Sequence, residues 1–194
     1  MKPISNWENI KAAKGYTPLP AGGYICQIQG AKIKEYQASN GGAFEKMEIA
    51  LDIYEGEFKG FYQQDFDNQN TEDKRWKGVL RLFLPKNDGT ERDHRTASIF
   101  KAVIEAVEDS NNGYHWDWDE RKLKGKTVGC LFRLEEWEYN GQTGWKAQPF
   151  RAIDAEAIRQ NKFSIPKEKA LSDKQNYSPN QNKPSPVDDD DLPF

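Results

Sequence analysis

Apolar and polar residues alternate with a period of two in several segments between residues 23 and 153, and this pattern restricts the fold more than any other feature of the chain. A strand with one buried face shows such alternation because successive side chains point to opposite faces of a sheet. The clearest predicted strand has its core face at Met47, Ile49, Leu51 and Ile53. The pattern therefore predicts a mainly β domain.

The first strand is predicted to be long and bent. Tyr24, Cys26 and Ile28 alternate with their neighbours, Gly30 interrupts the pattern, and Ile33 continues it in a shifted phase. A β-bulge inside one strand produces such a shift.

Residues 61–66 are predicted as the third strand, whereas the short apolar run 78–84 fits either a strand or a helix.

One helix is predicted in the second half of the chain, from an N-cap at Thr96 to a stop signal at 111–113. Its apolar face consists of Ala97, Phe100, Val103, Ile104 and Val107. Two strands follow over 126–139 and 145–153, joined by a hairpin turn at Asn140-Gly141, and residues 155–163 are predicted as a short closing helix. This order lacks a βαβ rhythm, so it favours a five-stranded barrel of the oligonucleotide/oligosaccharide-binding (OB) type with one helix between strands 3 and 4.

The last part of the chain has a different composition. Residues 164–194 hold 5 of the 10 prolines and none of the 15 glycines, and few of their side chains are apolar. Such a segment cannot bury a core, so we expect a disordered acidic C-terminal tail. The predicted division is an OB-like domain over 1–163, a flexible Pro/Asn/Gln-containing linker over 164–187 and an acidic docking tip over 188–194.

Several classes of protein are excluded by the sequence. No run of 18 apolar residues is present, so no membrane-spanning helix is expected. The first residues lack an apolar signal core, which favours the cytoplasm. Cys26 and Cys130 are isolated, and in a reducing cytosol we expect two small buried thiols.

Catalysis has little support. His94 and His115 are the two histidines, and neither stands at a metal-ligand or triad spacing. Acidic neighbours such as Asp65 and Asp67 are expected as solvated faces in a chain with 31 acids. We predict no enzyme, no catalytic residue, no metal ligand and no cofactor.

Charge indicates where a nucleic acid could bind. The tail carries 4 basic and 6 acidic side chains and the body 24 and 25, so binding must come from a local patch rather than from bulk charge. Aromatic rings between cations suit single strands, because bases stack on rings while cations follow the phosphates. The predicted DNA-binding residues are Lys74, Arg75, Trp76, Lys77, Arg81, Tyr139, Trp145 and Lys146.

A structural interpretation of these aromatics stays open, because aromatic residues of a small barrel are mostly core. Trp116 and Trp118 alternate with aspartates and are interpreted as groove covers. The outward face of the second strand is not basic, which argues against a binding mode centred on this strand. Its residues are Lys46, Glu48, Ala50 and Asp52.

The end of the chain has the composition of a docking peptide. An acidic run precedes two apolar anchors, and the predicted partner-docking residues are Asp188, Asp189, Asp190, Asp191, Leu192, Pro193 and Phe194. The aromatic ring can fill an apolar pocket, its carboxylate can meet a cation, and the aspartates can steer toward a basic rim. A mere solubility tail is the alternative interpretation.

These seven residues closely resemble the acidic tip of bacterial single-stranded DNA-binding proteins, which runs Asp-Asp-Asp-(Ile/Leu)-Pro-Phe. In that family the tip follows an OB domain and a linker, and it recruits replication, recombination and repair enzymes. The linker here, with Gln175-Asn176 and 180–182, is similar but short and lacks glycine. The body looks more like small single-stranded DNA-binding proteins of bacteriophage modules, so no stacking residue is carried over from the cellular family.

The resemblance implies a non-enzymatic protein of DNA replication, recombination and repair that coats single-stranded DNA in the cytoplasm of a bacterial host and recruits partner enzymes. The sequence leaves room for a homo-oligomer. One alternative is an interaction protein that mimics the host tip to capture repair enzymes without binding DNA. Another is a metal-dependent nuclease or recombination enzyme.

Overall fold

The computed structural model describes residues 2–3, 5, 17–37 and 41–171. Four predicted strands and two predicted helical regions are confirmed, and a fifth strand forms in the run that fitted either a strand or a helix, so the domain is mainly β. In chain order the elements are β1 (Gly22–Gln37), β2 (Ala43–Ile53), α1 (Phe61–Asp67), β3 (Val79–Phe83), α2 (Glu91–Asp109), a 3₁₀ helix (Glu120–Leu123), β4 (Thr127–Tyr139), β5 (Gln142–Ile153) and α3 (Ala155–Arg159).

The five strands form one antiparallel sheet in the order β3-β2-β1-β4-β5. The long first strand lies at its centre, and the register of β1 against β2 shifts between Ile28 and Gly30, which confirms the predicted bulge. The sheet is open, since no ladder joins β3 to β5 in the described part of the chain. Cα atoms of these two edge strands nevertheless approach within 8 Å of each other.

The core lies between one face of the sheet and helix α2. The predicted core face of β2 is confirmed, because all four of its apolar side chains are buried: Met47, Ile49, Leu51 and Ile53. Helix α2 adds Phe100, Val103, Ile104 and Val107 from one face. On β1, β2 and β3, polar and aromatic side chains can therefore occupy the face of the sheet opposite this core.

The prediction of a third strand at residues 61–66 is wrong, because this segment forms helix α1. Gly60 precedes it in the left-handed region, at φ 74°, and the buried carboxylate of Asp52 accepts the Tyr62 amide at 2.9 Å. This acceptor comes from β2 and gives no local signal in the helix sequence. The third strand is instead Val79–Phe83, which resolves the ambiguous run.

Helix α2 begins six residues earlier than predicted, because its N-cap is Thr90 rather than Thr96. The Thr90 hydroxyl accepts the Asp93 amide at 3.1 Å, and acidic residues in the first turn favour the positive end of the helix dipole. Thr96 lies inside the helix and donates to the Arg92 carbonyl at 3.0 Å. The first turn carries no apolar face, so periodicity alone placed the start too late.

The β4–β5 hairpin is formed as predicted. Asn140 and Gly141 have φ values of 50° and 73°, the left-handed conformations that a tight two-residue hairpin turn requires. Beyond α3, the chain returns to β4, where Lys169 donates its amide to the Leu134 carbonyl at 2.9 Å. Residues 164–171 of the expected linker thus include a bridge to β4, while the rest of that linker lies outside the described residues.

Cys26 and Cys130 are buried free thiols, as predicted. Burial raises the pKa of Cys130 to about 12. Burial also raises the pKa of Cys26 well above its ordinary value, and the neighbouring Cys130 adds to that effect. Both thiols are therefore protonated near neutral pH and unreactive.

Candidate nucleic-acid interface

Three aromatic rings form a row across the outward side of β1, β2 and β3. Tyr36 lies opposite Phe44 in the β1–β2 ladder, and Phe83 lies opposite Lys46 in the β2–β3 ladder. The Tyr36 and Phe44 rings are stacked with centroids 5.6 Å apart and planes at 9°. Phe44 and Phe83 follow at 5.4 Å. All three rings are half-buried, so part of each ring surface faces solvent.

Lysine side chains lie against this row. The Lys46 ammonium is 4.1 Å from the Phe83 centroid and 5.6 Å from that of Phe44. The Lys34 ammonium is 5.2 Å from the Tyr36 centroid. Cations at these distances are attracted to the ring faces. The arrangement places positive charge beside aromatic surface, which is what stacking bases and their phosphates require.

A carboxylate stands at the centre of the same surface. Glu48 accepts a hydrogen bond from the Tyr36 hydroxyl and one from Arg81 Nε at 3.1 Å, and Lys32 Nζ lies 3.6 Å away. Desolvation raises the pKa of Glu48, but these partners outweigh it and hold the pKa below its usual value. The hydrogen bond to Glu48 in turn raises the pKa of Tyr36. Glu48 is therefore ionised at neutral pH.

We call this surface the aromatic face and define it as Lys32, Lys34, Tyr36, Phe44, Lys46, Glu48, Arg81 and Phe83. It was missed in the sequence because β2 was judged alone, and β2 contributes one cation and one carboxylate to it. The other cations come from β1 and β3 at matched register positions. The alternation of Lys32, Lys34 and Tyr36 along β1 was the available local signal.

Trp76 is held against the body of the domain. Its indole N–H donates to the Leu51 carbonyl at 2.9 Å, and its ring lies 5.7 Å from Phe66 of α1. The residue is half-buried and packs against the core. Trp76 therefore anchors the loop between α1 and β3, and its stacking on DNA stays a prediction.

The cations beside Trp76 are exposed, and two of them are bound to α1. Lys77 pairs with Asp65 at 2.9 Å, and Lys74 Nζ donates to the Asp67 carbonyl at 3.0 Å. Arg75 is exposed on the same loop. Arg81 does not extend this cluster, because its side chain pairs with Glu48 on the aromatic face.

The predicted residues of the β4–β5 hairpin are accessible but point in different directions. Tyr139 is 71% exposed and Trp145 is 41% exposed. Trp145 lies opposite Glu136 and Lys146 lies opposite Glu135, so these neighbours project from opposite faces of the hairpin. The hairpin therefore does not bring its tryptophan and its lysine together on one surface.

Trp116 and Trp118 differ in their surroundings. Trp116 packs toward the core with its ring 6.5 Å from Phe100. Trp118 is 79% exposed and has a φ of 69°, so the interpretation of both tryptophans as groove covers fails for Trp118.

Other kinds of site find little support in the described residues. Within the ranges given above, no group of three His, Cys, Asp or Glu side chains is arranged to hold a metal ion. No helix among those residues is both long and apolar enough to cross a membrane. The predicted docking residues 188–194 lie outside the described residues.

Comparison with known proteins gives no family for this chain. No protein-family model matches it, and no curated protein sequence is significantly similar to it.

Proposed function

We propose that the protein is a non-enzymatic single-stranded DNA-binding protein whose DNA contacts centre on the aromatic face. The observation that carries the proposal is the row of Tyr36, Phe44 and Phe83, with lysines at 4.1 Å and 5.2 Å from its ring centroids. Every base has a flat π surface, so stacking on rings supports binding with little sequence preference, worth about 1–3 kcal/mol per base.

The charge distribution favours single strands over duplex DNA. The formal net charge of the chain is −3, so attraction to phosphates depends on the cations of the aromatic face. In a duplex the bases are stacked on each other and cannot reach the rings, which leaves the phosphate contacts alone. We therefore expect single strands to bind more tightly and the affinity to fall with salt.

The strand order supports an OB-like barrel. Neighbours in the order β3-β2-β1-β4-β5 are hydrogen-bonded, and α2 lies between β3 and β4 in the chain. Closure of the two edge strands, whose Cα atoms approach within 8 Å, would complete a five-stranded barrel. OB folds bind oligonucleotides on the surface formed by strands 2 and 3, and Phe44, Lys46 and Phe83 lie on these strands.

The acidic tip extends the proposal to partner recruitment. Its resemblance to the tip of bacterial single-stranded DNA-binding proteins supports a role in phage DNA replication, recombination and repair. In this role the domain coats single strands, and residues 188–194 bind the enzymes that process them.

Fluorescence anisotropy with labelled oligo(dT) and a matched duplex tests the proposal. Phe44→Leu and Phe83→Leu keep an apolar side chain but remove the aromatic ring, and each should weaken binding roughly tenfold or more, the loss of one stacked base. The matched control is Trp118→Leu, which removes an exposed ring that lies outside both the aromatic face and the predicted DNA-binding residues. Removing the charges of Lys74, Arg75 and Lys77 tests the other predicted cluster.

Three results would contradict the proposal. Equal affinity for single strands and duplex would reduce the interaction to phosphate attraction. No binding at low salt would leave the alternative of an interaction protein that captures repair enzymes through its tip. If the lysine and arginine variants weaken binding and the Phe variants do not, DNA binds at the Trp76 loop instead.

A further inference from the structure

The position of Glu48 among its partners is unusual for an exposed sheet face. Its side chain is 11% exposed, whereas Arg81 and Lys32, which contact it, are 47% and 70% exposed. The carboxylate therefore lies beneath its cations, in the middle of the aromatic face. The Tyr36 hydroxyl supplies a third partner from within the aromatic row.

These partners are the ones that a phosphate group would use. A guanidinium binds carboxylate and phosphate oxygens with the same donor geometry, and an ammonium and a hydroxyl serve either anion equally. Arg81 and Lys32 are thus already bound to an anion of the protein in its free state. A phosphate that reaches them must exchange with that anion.

We propose that Glu48 is an internal competitor of the DNA phosphate, which holds Arg81, Lys32 and Tyr36 in place in the free protein and weakens single-strand binding by occupying them. The proposal rests on the proposed function and names a regulation of the same site. Glu48 acts through its neighbours, so it is a positioning residue rather than a DNA contact.

The exchange has an electrostatic cost and a structural benefit. When a phosphate binds Arg81 and Lys32, these cations no longer fully neutralise the Glu48 carboxylate. The carboxylate then lies close to the negatively charged phosphate, and the repulsion between the two anions lowers the affinity for DNA. Before binding, the same carboxylate keeps the long side chains of Arg81 and Lys32 in one arrangement, which reduces the ordering cost of the bound state. Its low pKa keeps the competitor charged at neutral pH.

Replacing Glu48 by glutamine separates charge from shape. Glu48→Gln keeps an oxygen that accepts from Tyr36 but removes the negative charge. We expect oligo(dT) affinity at low salt to rise roughly three- to tenfold, and the slope of log K against log salt to steepen by about 0.7 for each cation transferred to a phosphate. The melting temperature should fall slightly, because two charged contacts are lost.

Glu45→Gln is the matched control. Glu45 lies on the same strand with the same charge, but its position in the ladder places it on the opposite face. This variant should leave the salt slope unchanged and raise the affinity less than Glu48→Gln does. A residue with a merely structural role would lower melting temperature and affinity together.

The outcomes separate the two proposals. If the wild-type protein binds oligo(dT) and Glu48→Gln shows equal or weaker binding with an unchanged salt slope, the role of Glu48 is overturned and DNA binding stands. If the wild-type protein binds no single strands at low salt, both proposals fail.

Discussion

At the scale of single residues, Trp76 and Phe44 are both aromatic but make different contacts. Both are half-buried aromatic residues. The indole N–H of Trp76 donates to a carbonyl of β2 at 2.9 Å, and its ring lies against α1. Phe44, by contrast, lies in a row of rings with cations beside it. The contacts of Trp76 are those of an anchor, and those of Phe44 are compatible with a stacking platform.

Trp76→Ala should therefore destabilise the domain. We expect a loss of roughly 3 kcal/mol in the free energy of unfolding, at the lower end for truncation of a large aromatic, because the residue is only half-buried. Urea unfolding measures the loss, with Tyr139→Ala as the control at an exposed position. An unchanged midpoint for Trp76→Ala, combined with lost DNA binding, would instead make Trp76 a stacking residue.

Asp52 gives the domain a pH dependence of predictable sign. Burial raises its pKa above the ordinary 3.8, although the backbone amides of Ile53, Tyr62 and Gln63 donate to it. Since the folded-state pKa exceeds the unfolded one, folding takes up a proton between these values. The contribution of Asp52 to stability therefore falls as the pH rises from about 3.8 through the raised folded-state pKa.

Asp52→Asn keeps an oxygen that accepts from these amides and removes the titration. Measured by urea unfolding across acidic pH, the stability of the wild-type protein should decline relative to that of Asp52→Asn as the pH rises through this window. Parallel profiles for the two proteins would show that the carboxyl group has the same pKa in the folded and unfolded states.

At the scale of elements, the strands were predictable and their combination was not. Period-two alternation located β1, β2, β4 and β5, and the bulge near Gly30 was visible as a phase shift. Helix α1 was missed because Asp52, which binds its first turn, lies on another element. The aromatic face was missed for a similar reason, since it depends on the register of three strands, and β2 judged by itself contributes only one cation and one carboxylate to it.

The packing between α1 and β2 makes Gly78 sensitive to substitution. A Cβ at Gly78 would lie 2.4 Å from the Tyr62 ring and 2.6 Å from the Leu51 carbonyl oxygen. Gly78→Ala should cost about 1–3 kcal/mol of stability through overpacking. Gly30→Ala is the control, because no atom lies within 4 Å of its Cβ position, and it should change stability by less than about 0.5 kcal/mol. Thermal melts of both variants decide the comparison.

At the scale of the whole molecule, the proposed binding surface and the proposed docking segment carry opposite charge. The aromatic face offers Lys32, Lys34, Lys46 and Arg81, and the segment 188–191 offers four aspartates. We therefore expect both proposed functions to depend on ionic strength. Salt weakens the attraction of the aromatic face to phosphates and the attraction of the tip to a basic partner surface.

Removing residues 188–194 should leave the melting temperature unchanged, because an acidic, Pro-containing chain end contributes little to a core. Single-strand affinity should stay the same or rise slightly at low salt, where aspartates compete with phosphates for cations, and this difference should fade as salt is added.

Phe194→Ala should abolish most partner capture, since an aromatic anchor contributes more than the steering charges. A pull-down from bacterial lysate that recovers the same proteins with intact and Phe194→Ala chains would reduce the tip to a solubility tail.

The central place of β1 in the sheet sets an order of events during synthesis. One neighbour of β1 in the sheet, β2, is synthesised directly after it. The other neighbour is β4, in which Phe132 pairs with Gly22 and leaves the ribosome roughly a hundred residues later. At about 5–20 residues per second, the nascent chain waits on the order of ten seconds with one edge of β1 unpaired. An exposed edge of this kind recruits strands from other chains, so fragments that end before β4 should aggregate where the full chain stays in solution.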